Sequence, residues 1–565
     1  MNRNTQAHFS ENPTIDISRS KFDRSFTHKT TFNAGDLIPF FVADVLPGDT
    51  MKMNTAHVVR MMTPVTPVMD NANLDTYFFF VPNRLIWEHW EAFCGGKQQA
   101  PWLVNPEYSI PQVVAPASTG WTKGSLADYF GYPTNIPNYK ADAMPFRAYA
   151  LIWNEWFRDE NLKNPCYIPM GDSDTAGVDI TSANYDYVTD TVAGAAPCKA
   201  AKYHDYFTSC LPDAQKGPAV NVPIGQSAPI LFKPTGATLP SGFTSLTTSD
   251  VNDLVGSVYL SASAGNAVRG LKDNNTTLNV SNNKAAEMVA DLSNAVGATV
   301  NQLRQAFQIQ KFFERQALGG TRYIELIKSH FKTTNPDFRM QRPEYLGGMR
   351  TPININQVVQ TDATSQQLTG EYQSGTWVWD VKDLSPQGNT AAYSLTSGRN
   401  KDLFTHSFTE HGWVIGLAVV RQVHTYQQGL NRMFSRKSMW DFYWPEFANL
   451  GNMPVYNKEI YLQGTSADDQ AFGYQEAWAE YRYLPDIVTG EMRSNYNKSL
   501  DIWHWADDYA SLPSLGSDWI DETKENIERT LAIQTQDQFF GDFYFNCIMT
   551  RPMPLYSVPG LIDHH

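Results

Sequence analysis

Thr76-Tyr77-Phe78-Phe79-Phe80-Val81-Pro82 is an apolar, aromatic run that ends at a proline. It reads as a strand, and Pro82 stops it by removing the next ladder donor. Toward the N-terminus, residues 32–36 form a turn, and Leu37-Ile38-Pro39-Phe40-Phe41-Val42 continues as a second strand. Toward the C-terminus, residues 413–423 are β-branched and apolar, and residues 539–549 form an aromatic strand. Glu459-Ile460-Tyr461-Leu462 and residues 478–483 alternate polar with apolar, which also predicts strands. Strands near both ends with helices between them predict an antiparallel sandwich whose connecting loops have grown. No repeat of propeller or solenoid length recurs.

Helical signals fall between the strands. Asn83 is placed to cap a helix with Leu85, Ile86, Trp90 and Phe93 on one face, ended by Gly95-Gly96. Pro145 begins a second, with Tyr149, Ile152, Trp153 and Trp156 on one stripe. A third starts near Thr299 and runs through Leu303, Phe307, Phe312 and Phe313 to Gly319-Gly320, after which Tyr323, Ile324 and Ile327 recur at helical spacing.

Composition narrows the function. Gly (36) and Pro (33) are spread along all 565 residues, which implies many turns between short elements. Aromatic residues reach 13% while charged residues are 18%, against about 25% in an average soluble domain. A chain with so few charges has a large core or covers its surface with partners, and both fit an assembly protein. The net charge of −14 is the wrong sign for coating nucleic acid by charge alone. If DNA is packaged, a small basic protein, polyamines or metal ions must neutralise it. Cys94, Cys166, Cys198, Cys210 and Cys547 are scattered and odd in number, as for free buried thiols in a reducing compartment. The first residues lack an apolar signal core, and residues 412–420 are too short to cross a bilayer, so neither secretion nor membrane insertion is expected.

Two segments differ from the rest. Residues 1–30 are polar, carry Arg19, Lys21, Arg24 and Lys29, and read as an arm that packs on neighbours. Residues 225–283 are Ser, Thr, Gly, Asn and Ala with few large apolar side chains, so they read as an exposed excursion. Val258-Tyr259-Leu260 and Leu278-Asn279-Val280 are its candidate short strands.

The catalytic search is negative. His406-Ser407-Phe408-Thr409-Glu410-His411 has one residue too many for a zinc-protease helix. Asp172-Ser173-Asp174-Thr175-Ala176-Gly177 begins like a calcium loop, yet Ala183 stands where a bidentate Glu is required. Trp503-His504-Trp505 could stack on a sugar, but core or interface packing is the better reading. No phosphate loop, nucleophile elbow or dinucleotide fingerprint is present. No catalytic residue, metal site or cofactor is predicted. The best binding stretch is residues 431–444, where basic groups interleave with aromatics as single-stranded DNA contacts require. Arg432, Phe434, Arg436 and Lys437 are the candidates there, joined by Arg19, Lys21 and Arg24 of the arm. The bland alternative is a corner between strands, with Arg436 and Lys437 solvated or paired to Asp441 and Glu446.

Several segments together resemble the major capsid protein of microviruses of the gokushovirus type. They are residues 32–50 (FNAGDLIPFFVADVLPGDT), 63–90 (TPVTPVMDNANLDTYFFFVPNRLIWEHW) and 301–331 (NQLRQAFQIQKFFERQALGGTRYIELIKSHF), with 342–348, 428–461 and 474–493. They run in the family's order and span nearly the whole chain. The resemblance implies an eight-stranded antiparallel jelly roll over residues 31–565 with large helical and loop insertions. It further implies a homo-oligomer, through pentamers, closing a sixty-copy T=1 icosahedral shell around circular single-stranded DNA. Residues 225–295 fall where the family places a protrusion, which would contact a bacterial host receptor. A small basic DNA-binding protein and a minor pilot protein are implied partners, and the virion is the implied location. Trp87, Trp90, Trp153 and Trp156 are candidate interface anchors, though each could equally be core. A carbohydrate-active β-protein and a phage tail or spike protein are the alternatives. The missing signal peptide, free thiols and lack of paired carboxylates weigh against the first, and the ordered segment matches against the second.

Overall fold

The structure is a computed structural model. It describes residues 18–96, 102–104, 106–218, 220, 300–359 and 390–556. It also gives the backbone of six short strands: Ile230–Pro234, Lys272–Asp273, Thr276–Thr277, Ala286–Ala290, Leu368–Gln373 and Thr376–Val381. Two compact units divide the chain, Met1–Ala214 with Ala317–His565, and Gln215–Gln316.

The first unit is built on nine strands: β1 (Ser20–Asp23), β2 (Phe26–Phe32), β3 (Ile38–Val45), β4 (Thr50–Met61), β5 (Ala72–Pro82), β6 (Glu344–Pro352), β7 (Thr396–Ser407), β8 (Gly412–Gln422) and β9 (Phe539–Arg551). One sheet has the order β1-β9-β4-β7, with β2 also pairing β9. Short β1 and longer β2 lie end to end along the same edge of β9, Phe26 opposite Phe545 and Ser20 opposite Arg551. The other sheet has the order β6-β5-β8-β3. All these pairings are antiparallel, so the fold is mainly β and consistent with a capsid jelly roll.

Burial explains which sequences form which sheet. In β9 the inward Phe539, Phe543, Phe545, Cys547 and Met549 alternate with exposed or half-buried residues. In β5 and β8 the alternation disappears because both faces are covered. Phe78, Phe80, Val414 and Val420 pack against the first sheet, whereas Phe79, Val81, Ile415 and Leu417 pack against a third layer. Gly416 sits where a side chain would strike Phe41 and Phe78, so only glycine lets those rings meet β8.

The third layer comes from the connection between β5 and β6. Its main helix, α1 (Met144–Ile152), carries Pro145 in its first turn and passes into a π-helical turn, Trp153–Phe157. Tyr149 Oη donates to the Leu37 carbonyl at 2.7 Å and accepts from the Cys198 amide at 2.9 Å, tying the layer to β3. The second unit holds the ribbon of Ile230–Pro234 with Ala286–Ala290 and most of helix α2 (Val300–Gly319). Helix α3 (Tyr323–Phe331) belongs to the first unit.

Three local expectations fail. The helix predicted from Asn83 is a 3-10 turn, Asn83–Leu85, and a separate short helix, Trp90–Phe93. Asn83 caps neither, and the chain bends between them to bury Ile86 and Trp87. Glu459-Ile460 lie in a short helix, Asn457–Ile460, because Glu459 Oε1 accepts from the Tyr456 amide at 2.9 Å. Residues 478–483 are no strand, since Trp478 is left-handed (φ 61°) with its indole donating to the Phe447 carbonyl. Residues 18–30 of the segment read as an arm include β1 and most of β2, so residue 30 falls inside a sheet, and residues 1–17 lie outside the described residues. Residues 258–260 and 278–280 also lie outside them.

Candidate assembly surface

Residues 431–450 form no strand. They are a series of tight turns, Arg432–Phe434, Met439–Asp441 and Pro445–Phe447. Side chains pin each turn. Asn431 Oδ1 accepts from the Met433 amide, and Asp441 Oδ2 accepts from the amides of Lys437 (2.8 Å) and Ser438 (2.7 Å). Those two amides hold the Asp441 carboxyl below the ordinary carboxylate range. With the backbone folded on itself, the rings are left outside. Phe434 is 70% exposed and Trp440 60%. Tyr443 packs edge-on against Trp478 and Tyr481, and Leu484 and Ile487, a few residues further along the chain, are 80% and 72% exposed. A second apolar set, Tyr323, Phe331 and Phe338, stands out on and after α3. Soluble monomers rarely leave so many large side chains in water, so these surfaces call for partners.

The DNA candidates separate. Arg432 is directed inward, with Glu459 at 3.5 Å and Glu480 at 3.7 Å, and donates to the Pro454 carbonyl. Burial alone would lower its pKa, but these carboxylates raise it. Its charge is balanced within the chain, which weighs against Arg432 as one of the DNA-contact candidates. Arg436 lies over Tyr481 at 4.4 Å and Phe442 at 5.1 Å, and Lys437 and Phe434 are exposed. Arg19 bonds the Gly48 carbonyl and Thr50, Arg24 faces Asp44 at 3.5 Å, and Lys21 is exposed on β1.

The tryptophan candidates separate too. Trp87 and Trp153 are fully buried within one chain, so they are core and not interface anchors. Their indoles donate to Asp172 (2.7 Å) and to the Lys199 carbonyl (2.9 Å). Trp90 and Trp156 are partly buried, Trp156 beneath the Arg342 guanidinium at 3.9 Å. Of the cysteines, Cys94 is exposed, against the expectation of burial, and all five are free.

The motifs that imitate active sites are occupied by structure. Asp172 accepts from Trp87 and His89, and Asp174 from Lys140 and the Gln112 amide. His406 lies 3.6 Å from Glu344 on the neighbouring sheet, while His411 packs on Trp90. Among the described residues no cluster of His, Cys, Asp and Glu is placed to hold a metal ion, and no helix is long and apolar enough to cross a membrane.

One polar cluster escaped the sequence reading. His424, just beyond β8, bonds Asp507 at 2.9 Å and Glu522 at 3.1 Å, all three nearly free of solvent contact. Burial would lower the His424 pKa, but the charges of Asp507 and Glu522 carry it up to about 10. Asp507 is likewise held well below its ordinary value by His424 in spite of burial. The cluster fastens residues 505–522 to the end of β8. The only sequence hint is a histidine placed directly after an apolar strand.

An antiparallel sandwich that leaves large apolar side chains in solvent among the described residues has the character of a structural coat subunit. The capsid protein (F protein) family model matches residues 10–561, and the chain belongs to that family. It is 43% identical over 562 residues to the capsid protein VP1 of Bdellovibrio phage phiMH2K, covering 99% of this chain and 98% of that one. It is 41% identical to capsid protein VP1 of Chlamydia phage 1 (98% and 97% covered) and 40% identical to that of Spiroplasma virus 4 (96% of each). The protein is thus a structural component of a phage virion.

Proposed function

We propose that the chain closes a T=1 icosahedral shell of sixty copies, through pentamers, around circular single-stranded DNA. The observation that carries this is the exposed apolar surface of Phe434, Trp440, Leu484 and Ile487, with Tyr323 and Phe331 elsewhere. In obligate assemblies such side chains anchor the contacts between copies. The sandwich supports an eight-stranded jelly roll if β1 and β2 count as one interrupted edge, because each sheet then has four strand positions. Residues 83–343 and 423–538 are its larger insertions.

The protrusion and host-attachment role of residues 225–295 draws support from composition and from the antiparallel ribbon of Ile230–Pro234 with Ala286–Ala290. That ribbon lets an excursion leave and return through one neck. The net charge of −14 supports a small basic packaging protein, polyamines or metal ions as phosphate partners, with a minor pilot protein completing the particle. Size exclusion followed by negative-stain microscopy tests the assembly: pentamers or closed shells are expected, and a monomer at every concentration overturns it. Deleting residues 225–295 is expected to leave shells intact and impair adsorption, and loss of assembly refutes a dispensable protrusion.

A further inference from the structure

The two sheets differ on their outer faces. That of β5 and β8 lies under the α1 layer, whereas that of β9 and β4 is open among the described residues, with Val58 42%, Phe540 40% and Tyr544 45% exposed. Strand alternation fixes which side chains stand on it. Basic Lys21, Lys29, Lys52, Arg60 and Arg399 face out, against acidic Asp23, Asp542 and Asp402, the last paired with Lys52 at 3.4 Å, so the balance on this face opposes in sign the chain's net charge of −14. The register interleaves charges with rings. Arg60 is directly opposite Phe540, and Tyr544 is separated from Arg399 only by Ala56, too small to cover the ring. Neither arginine has an ion-pair partner among the described residues. Lys29 meets Asp542 at 3.6 Å in an exposed pair, which a phosphate can displace at little cost.

We propose that this open sheet face binds the packaged single-stranded nucleic acid, with bases stacked on Phe540 and Tyr544 and phosphates against Lys29, Arg60 and Arg399. The two rings are four residues apart on one strand, about 13 Å at the usual strand rise, and form a stacking platform in a basic surround. A second copy of the chain is the poorer occupant, because the centres of copy-to-copy interfaces are depleted of charge. The inference rests on the reading of the chain as a coat around DNA.

The test uses intact particles grown with 5-iododeoxyuridine in the genome, irradiated and analysed by mass spectrometry. Crosslinks on the peptide holding Phe540 and Tyr544 are expected. Genome-filled particles whose crosslinks to this chain fall elsewhere, for example on residues 431–447, overturn the face assignment and leave packaging intact. Particles without nucleic acid overturn the packaging reading itself. A particle image with this face buried against another copy also overturns the assignment. Lys29→Gln/Arg60→Gln/Arg399→Gln in the full chain gives a second readout with a thymidine oligonucleotide. The slope of log affinity against log salt is expected to fall by about 2, at roughly 0.7 per phosphate contact. An unchanged slope in variants that still assemble refutes it.

Discussion

Strands β8 and β9 are both central in their sheets, yet their sequences are written differently. β9 alternates because one face meets the core and the other stands open, whereas β8 is apolar on both faces because a third layer covers it. The number of layers around a strand is therefore encoded in its period. The two sheets also differ in the histidines beside these strands, which are in opposite states. His57, on β4, is buried without a partner at Nε2, and desolvation lowers its pKa to about 4. His424, at the end of β8, sits between two carboxylates and is raised to about 10.

The largest expected effect breaks the doubly covered side. Phe78→Ala opens a cavity where three strands meet and is expected to cost about 3–5 kcal/mol. Tyr544→Ala on the open face is expected to change folding by no more than about 0.5 kcal/mol. Urea unfolding of the unassembled protein measures both, and equal losses would erase the contrast between sheets. His424→Ala strands two buried carboxylates and is expected to cost a comparable 3–5 kcal/mol or so, with the midpoint shift as the check.

The pH dependence sharpens the comparison. His57 folds neutral, so its penalty is absent above pH 6.5 and grows as the pH falls toward 4, reaching about 3 kcal/mol. His424 folds charged, so its contribution is complete below pH 6.5 and is lost as the pH rises toward 10. Thermal midpoints across this range should lose their acid limb in His57→Gln and their alkaline limb in His424→Gln. The smallest effect on folding belongs to the exposed turns. Phe434→Ser and Trp440→Ser are expected to shift unfolding by less than about 0.5 kcal/mol while raising the protein concentration needed for assembly, read by sedimentation.

The sequence made the framework legible wherever periodicity and burial coincide. The Tyr77–Val81 run, residues 413–423 and 539–549, and the helix after Thr299 all lie in the elements expected of them. It failed where one long-range contact overrides the pattern. Alternation through Glu459-Ile460-Tyr461-Leu462 resembles a strand, but Glu459 caps its own helix and receives Arg432 from a distant turn. Arg432 therefore read as a free cation, since its partners are brought in only by the fold. Trp87 and Trp153 could not be told from interface anchors because burial inside a chain and between chains requires the same residue types. His424, Asp507 and Glu522 are too far apart in sequence to form any motif.

The pairing of β9 between β2 and β4 has a consequence for biogenesis. Its residues are synthesised after every other strand of the sandwich, yet they occupy the middle of the first sheet. A polypeptide interrupted before residue 539 leaves β2 and β4 without the neighbour that joins them. Such a fragment cannot complete the first sheet, so that sheet closes only once the last of its strands has been made.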